Sequence, residues 1–408
     1  MDPIQPECNI GTLGHVDNGK STLVQALTGV WTSRHSEELR RGITIRIGYA
    51  DAYFYRCAEC DPPVYTSEPK CPQCGGDAEL LRGVSFIDCP GHHSLMVTML
   101  SGAALMDGAL FLVASDAKFP QAQDREHLLA AEIAGIDKLI LVQNKIDIVS
   151  KERALENRAE IEEFVKGTVA EGAPIIPVSA QKKINVDSLI EAIEERIPTP
   201  KRDLSLDPKM YVLRSFDVNK PGTEVDELVG GVLGGSIVQG KLKVGEEIEI
   251  IPGIRVEEGG KPRYEPLTTT VESIHIGRGS VEEAGPGGLV ALGTKLDPSL
   301  TKSDGLVGNV VGRAGRMPPP LESLRLDVRL FEKVVGMKEQ IPIERIRANE
   351  ALVLNLGTSV TSGLVTSVRD GVVEIALKKP VSVEPRMKVA ISRKIMGGWR
   401  LIGYGMVK

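Results

Sequence analysis

Gly14-His15-Val16-Asp17-Asn18-Gly19-Lys20-Ser21 has the form G-x-x-x-x-G-K-[ST], the sequence of a loop that wraps backbone N–H groups around phosphates. Asn9 to Leu13 before it is short and apolar enough for a buried strand, and Thr22 to Leu27 after it has helical spacing. A helix N-terminus leaves unpaired N–H donors and a partial positive charge, and Gly14 and Gly19 let the backbone come close to an anion. Lys20 would then reach the β- and γ-phosphates and Ser21 would put its hydroxyl on Mg²⁺. Asp17, Asn18, Gly19 and Thr22 complete the phosphate-binding set.

Working outward, the first helix is followed by a polar, charged loop over Thr32 to Thr44 and then by a β-branched and aromatic alternation from Ile45 to Tyr53 that suits a strand. Thr44 at the junction is a candidate metal hydroxyl, or simply a residue that favours strands. Val84 to Ile87 reads as a strand ending in Asp88-Cys89-Pro90-Gly91-His92. Asp88 could hold Mg²⁺ through a water, Gly91 could offer its N–H to a γ-phosphate, and His92 would stand where a hydrolytic water must be oriented. A surface loop histidine is the plainer reading of His92.

Leu110 to Ala114 and Lys138 to Gln143 are near-continuous apolar runs, as in strands buried on both faces of a parallel sheet. The second leads into Asn144-Lys145-Ile146-Asp147, and a later strand, Pro174 to Val178, leads into Ser179-Ala180-Gln181. The Asp147 carboxylate can accept from the N1–H and 2-amino group of guanine, donors that adenine lacks in that arrangement. Asn144 can hold the loop and bond N7, the Lys145 stem can lie over the ring, and the Ala180 N–H can reach O6. Together these stretches form the ordered set of a GTP-binding domain, with the motifs at strand ends of an open α/β sheet.

Cys57-x-x-Cys60 and Cys71-x-x-Cys74 interrupt this domain. Paired C-x-x-C turns facing each other make a tetrahedral S₄ site, which suits structural zinc, although iron also accepts that geometry. Cys8 and Cys89 have no partner signature and read as ordinary thiols.

At 408 residues, the chain has room for two to four domains at roughly 100–200 residues each. The expected architecture is an α/β P-loop GTPase domain with an inserted zinc knuckle over 1–201, followed by β-barrel domains over 202–320 and 321–408. Ile197 to Arg202 is a proline-punctuated linker, and Pro318-Pro319-Pro320 marks the second boundary. Beyond the linker, short glycine-punctuated strands such as 227–236 and 244–251 read as one barrel, and 324–334, 351–356 and 372–377 as another. The net charge of −6 is uneven: from Leu321 onward there are 15 Lys and Arg against 9 Asp and Glu. A nucleic-acid surface would therefore involve the C-terminal part. Neither a long apolar run nor a basic, apolar leader is present, so a cytoplasmic protein with no membrane association is expected.

The GTP-binding set resembles the translational GTPases, and Gly14 to Asp17 with Arg41-Gly42-Ile43-Thr44-Ile45 resembles the group that contains elongation factor Tu. The C-x-x-C pairs, Val30-Trp31-Thr32, Ser36 to Thr44 and the ending Trp399 to Gly405 resemble, more narrowly, the gamma subunits of archaeal and eukaryotic translation initiation factor 2. That resemblance implies a GTP switch that binds initiator methionyl-tRNA and carries it to the small ribosomal subunit in a heterotrimer with alpha and beta subunits. It implies that the loops around Thr44 and around Gly91 and His92 are ordered by the γ-phosphate, that Tyr49 lines the cleft for the aminoacyl end, and that Asp17 helps hold a second cation near the γ-phosphate and assists hydrolysis. Two positions depart from the family pattern: Asn18 stands where histidine is common, and His93 where glutamate is common. An elongation-type carrier, such as a selenocysteine-tRNA-specific factor, shares the same three-domain plan and is the alternative; it would normally have a further C-terminal domain.

Overall fold

A computed structural model describes residues 3–32, 44, 46–92, 95–259, 261–277, 279–336 and 341–408. Of the loop expected over 32–44, only Thr32 and Thr44 are therefore described; Arg41, Gly42, Ile43, Ile45 and His93 lie outside the described residues.

The first domain is built on a seven-stranded sheet in the order β3-β2-β4-β1-β5-β6-β7. Its parallel part is β4 (Glu79–Asp88), β1 (Cys8–Leu13), β5 (Gly108–Ala114), β6 (Leu139–Asn144) and β7 (Ile175–Pro177). Two antiparallel strands, β2 (Gly48–Cys57) and β3 (Val64–Thr66), extend the β4 edge. Successive side chains on a strand point to opposite faces, so Leu110 and Leu112 join one buried cluster while Phe111 and Val113 join the other. Helices α1 (Lys20–Thr28) and α5 (Val186–Arg196) cover the first face through Leu23, Leu27, Leu189 and Ile193. Helices α2 (Met96–Ala103), α3 (Ala122–Ala134) and α4 (Lys151–Val165) cover the second through Met99, Leu128 and Ile161. Both faces are apolar because both are covered, which is why these strands read as continuous hydrophobic runs.

The second domain closes six strands into a ring, in the order Glu247–Glu258, Val310–Arg313, Lys209–Phe216, Val232–Gln239, Val290–Thr294 and Lys261–Ile276, through pairing of the first with the last. The expected strand over 227–236 begins only at Val232, because Gly230 and Gly231 lie against the Thr294 backbone and the Thr301 side chain, where a Cβ would collide. The third domain is a closed barrel of six strands, in the order Leu321–Leu330, Val372–Val381, Ser359–Arg369, Ala351–Leu356, Lys388–Ile395 and Gly398–Val407. Its strands Ser359–Arg369, Lys388–Ile395 and Gly398–Val407 are additional to those expected.

Buried polar contacts join the domains. Asn9 donates its amide to Leu105 of its own domain and to Ser236 Oγ of the second (2.9 Å), and accepts from the Gly288 N–H (2.9 Å). Nearby, Arg202 meets the Asp107 carboxylate at 2.6 Å. The third domain reaches the first through Asn355, which donates to the Val97 carbonyl at 2.8 Å.

Candidate nucleotide site and metal centre

The phosphate loop follows β1 and opens α1, with Gly19 at φ 89° and Asp17 at φ 66°. Gly19 is needed here twice over, since a Cβ would both strain the backbone and meet the Asn144 amide. Lys20 is buried and donates from Nζ to the carbonyls of Gly14 (2.9 Å) and His15 (2.7 Å). Burial lowers its pKa; nearby Asp88 opposes that shift. Asp17 is exposed, whereas Asn18 is buried and donates to the Leu112 carbonyl at 2.7 Å. Asn18 thus serves the scaffold under the loop. Thr22 lies half-buried in the first turn of α1.

At the C-terminal end of β4, Asp88 is fully buried and gathers hydroxyls. Its Oδ2 accepts from Ser21 Oγ and Thr32 Oγ1, each at 2.6 Å, and its Oδ1 accepts from Thr12 Oγ1 at 3.0 Å. Thr44 Oγ1 lies 3.1 Å from Ser21 Oγ. Ser21, Thr44 and Asp88, which lie 23 to 67 residues apart in sequence, therefore converge on one point. Hydroxyl and carboxylate oxygens are hard donors, the set that suits Mg²⁺. Thr12 and Thr32 escaped the sequence reading; the D-x-P-G pattern marks Asp88 but says nothing of what surrounds it.

Gly91 is wedged against the phosphate loop. A Cβ there would come within 2.5 Å of Lys20 Nζ and 2.8 Å of the Val16 N. His92 follows it, half-buried, and its carbonyl accepts from the Leu95 N–H at 2.9 Å.

On the base side, Asn144 is buried and spends both ends of its amide on protein. Its Nδ2 donates to the Asn18 carbonyl (2.9 Å) and its Oδ1 accepts from the Ala180 N–H (3.0 Å). The Ala180 N–H expected at guanine O6 thus has a protein partner in this structure. Lys145 takes φ 64° and its ammonium meets Asp116 at 3.2 Å, while Asp147 is exposed in the short turn Ile146–Ile148. Ser179 is buried, with Oγ accepting from the Lys182 N–H at 3.2 Å; Gln181 is exposed.

Cys57, Cys60, Cys71 and Cys74 come together with their sulfurs all within 4.8 Å of one another. The Cys57–Cys74, Cys60–Cys71 and Cys57–Cys60 separations are 3.5, 3.8 and 3.9 Å. Zinc–sulfur bonds of about 2.3 Å imply tetrahedral edges of about 3.8 Å, so this donor set fits that ion. The second knuckle is shaped by Gly75, at φ 74°, whose N–H donates to the Cys71 carbonyl at 2.9 Å. Backbone N–H groups of Cys74 and Gln73 bring the Cys71 thiol down to about 7. Cys8 and Cys89 are buried, and burial raises both thiols.

Tyr49 stands on β2 opposite Ile87, its ring packed against the buried cluster that also takes in Leu213 of the second domain. Its hydroxyl is buried without a hydrogen-bond partner among the described residues, and burial raises its pKa well above the usual phenol value.

Family comparisons agree with this architecture. Residues 5–199 match the model described as elongation factor Tu GTP binding domain, 230–311 that of elongation factor Tu domain 2, and 322–407 that of initiation factor eIF2 gamma, C terminal. The chain is 59% identical over 404 residues to translation initiation factor 2 subunit gamma of Archaeoglobus fulgidus, covering 99% of this chain and 95% of that one. It is 59% identical to the protein of the same name from Pyrococcus horikoshii (99% and 98% covered) and 57% identical to that of Aeropyrum pernix (100% and 99%). Among solved structures, a bacterial selenocysteine-specific elongation factor superposes with a TM-score of 0.74 at 22% identity, over 98% of this chain and 58% of that one. The elongation factor SelB of Methanococcus maripaludis superposes with a TM-score of 0.72 at 20% identity, over 100% and 80%. At those identities the likeness is one of fold, and the selenocysteine-factor alternative has no sequence support to match that from the gamma subunits. On full-length identity, this chain belongs to the gamma-subunit family of translation initiation factor 2 and is a GTPase of translation initiation.

Proposed function

We propose that this protein carries initiator methionyl-tRNA to the small ribosomal subunit as the core subunit of a heterotrimer with alpha and beta subunits, using GTP as the switch and its hydrolysis as the reset. Carrying methionyl-tRNA is the known role of the family. The observation that carries the reading is the meeting of Thr44, at the end of the polar loop expected over 32–44, with Ser21 of the phosphate loop beside Asp88. A loop that closes onto the metal and γ-phosphate is one whose position depends on which nucleotide is bound.

In this reading Asp17, Asn18, Gly19, Lys20, Ser21 and Thr22 cradle the phosphates, and Gly91 faces the γ-phosphate. Ser21, Thr44, Asp88 and Asp17 hold Mg²⁺, which when bound neutralises charge on the β- and γ-oxygens. His92, assisted by Asp17, orients the attacking water. Asn144, Lys145, Asp147, Ser179, Ala180 and Gln181 form the guanine pocket, with selectivity resting on Asp147. Cys57, Cys60, Cys71 and Cys74 hold zinc as a structural knuckle. Tyr49 packs where the first and second domains meet, a position suited to the aminoacyl end of the tRNA. The domain limits proposed are 1–201, 202–320 and 321–408, and the site of action proposed is the cytoplasm.

Binding of methionyl initiator tRNA, an elongator aminoacyl-tRNA and deacylated initiator tRNA, each with a GTP analogue and with GDP, tests the proposal. Tight binding only of the methionylated initiator with the analogue is expected; equal affinity for all three would overturn it. Metal analysis of a reduced preparation should return one zinc per chain, and iron in its place would reassign the knuckle.

A further inference from the structure

We propose that Thr12, near the end of β1, is a positioning residue for Mg²⁺: its hydroxyl fixes one oxygen of the Asp88 carboxylate, so that the other faces the metal position beside Ser21. This rests on the assignment of Asp88 to the metal. Groups that orient a metal's ligands tune its affinity without touching it.

The sheet brings the pair together. Thr12 and Asp88 are register partners on the parallel strands β1 and β4. Side chains alternate along a strand, so Thr12 shares its face with Cys8 and Ile10, and Asp88 shares its face with Val84 and Phe86. Those four apolar residues belong to one buried cluster with Leu23 and Leu27 of α1. Both polar side chains therefore emerge on the face that α1 covers, at the ends of their strands, where the first turn of that helix carries Ser21.

The contacts between them have a direction. The Thr12 hydroxyl accepts from the Cys89 N–H at 3.3 Å and donates to Asp88 Oδ1 at 3.0 Å. A hydroxyl has one proton, and the N–H it accepts from leaves that proton for the carboxylate. Asp88 Oδ2 is then the oxygen turned toward Ser21 and Thr32, whose hydroxyls donate to it at 2.6 Å each. Rotation about the Cβ–Cγ bond of an aspartate is otherwise broad and two-fold, so its two oxygens could exchange places. Thr12 removes that freedom. Both residues are fully buried, so the fixed oxygen draws its hydrogen bond from protein rather than from solvent. Neither the phosphate-loop pattern nor D-x-P-G includes Thr12, which lies 76 residues before the carboxylate it holds.

Two substitutions separate shape from hydrogen bonding: Thr12→Val keeps the shape and loses the hydroxyl, and Thr12→Ser keeps the hydroxyl. GDP affinity is titrated against Mg²⁺ and repeated in a chelator on the full chain, with thermal unfolding alongside and Asp88→Asn in parallel. Thr12→Val is expected to need about tenfold or more Mg²⁺ for half-maximal GDP binding, with affinity in the chelator unchanged. Thr12→Ser should restore the Mg²⁺ requirement of the unaltered protein. A Thr12→Val variant that keeps that requirement, or that loses affinity equally with and without Mg²⁺, would overturn the proposal, as would a Thr12→Ser variant no better than Thr12→Val. If Asp88→Asn has an unaltered Mg²⁺ requirement, the metal assignment fails and this inference falls with it. A raised requirement in Asp88→Asn beside an unaltered one in Thr12→Val overturns this inference alone. Proton NMR of the unaltered protein adds a reading independent of any variant's folding. A slowly exchanging Thr12 hydroxyl proton close to the Cys89 amide is expected in the complex with Mg²⁺ and GDP, and its absence there would overturn the proposal.

Discussion

At the base end of the nucleotide site, Asn144 links its own loop to the phosphate loop and to the Ser179-Ala180 loop through its amide, so all three are joined by protein–protein hydrogen bonds. At the γ-phosphate end, by contrast, three hydroxyls from Thr12, Ser21 and Thr32 converge on the single carboxylate of Asp88, with Thr44 beside Ser21. In the proposed function a divalent cation would compete for the Ser21–Asp88 bond, because those oxygens would be its ligands. The base end is therefore suited to constant recognition of guanine, and the phosphate end to responding to what is bound there.

The sharpest way to break this comparison is Asn144→Ala. It leaves the Asn18 carbonyl and the Ala180 N–H without their partner, and two hydrogen bonds at about 1–1.5 kcal/mol each correspond to a roughly hundredfold loss of affinity. A fluorescent-nucleotide titration should show that loss equally for GTP and GDP; a loss confined to GTP would mean that the base end takes part in switching. Asp147→Asn should weaken guanine nucleotides by about a hundredfold, since charge-assisted hydrogen bonds are worth about 1.5–3 kcal/mol each, and should improve binding of xanthine nucleotides, whose 2-oxo group needs a donor. Competition between GTP and xanthosine triphosphate is the measurement, and unchanged guanine preference would remove Asp147 from the pocket.

Smaller effects are expected at the other end. Ser21→Ala removes one hydroxyl proposed for the metal, and nucleotide affinity in Mg²⁺ should fall about tenfold, a loss near that of a charge-assisted hydrogen bond. In a chelator the variant and the unaltered protein should bind alike. The smallest effect concerns Glu126, next to His127 on α3. Its carboxylate is 1% exposed and lies 3.6 Å from Arg400 of the third domain, under Gly336. Burial, opposed in part by Arg400, pushes it up to about 7. A carboxyl raised above its unfolded value favours the fold while protonated, so that contribution is complete below about pH 4.5 and is lost as the pH rises through about 7. The unfolding midpoint should drop between pH 5 and pH 8 by about 2–4 °C more in the unaltered protein than in Glu126→Gln, on the scale of about 1 kcal/mol. Equal pH profiles would mean that the third domain does not sense this charge.

Much of the fold was legible because its signals are local. Gly14 to Ser21, Asp88 to His92 and Asn144 to Asp147 each lie within one turn beside a strand, so their spacing carries their geometry. The barrel strands were less legible. Gly398–Val407 and Ser359–Arg369 are rich in Gly, Ser and Thr, so their alternation is weak until the barrel closes and buries one face. The reading of 227–231 as strand failed on Gly230 and Gly231, which serve a close approach to residues some 64 to 70 positions later.

The amino-acid sequence by itself determined the chemical groups of the candidate site: the glycine cradle with its lysine, the oxygens of Ser21, Thr44 and Asp88 proposed for the metal, the carboxylate of Asp147 and the four paired thiols. Tertiary structure alone decided which of these groups meet, and which unmarked residues join them. Thr12 and Thr32 on Asp88, Asn144 between two loops, and His127 on Gly14 bridge 36 to 126 residues of chain. No periodicity encodes such pairings. They arise because stacking helices on both faces of one sheet excludes water, and a polar group buried there must find its partner in the protein.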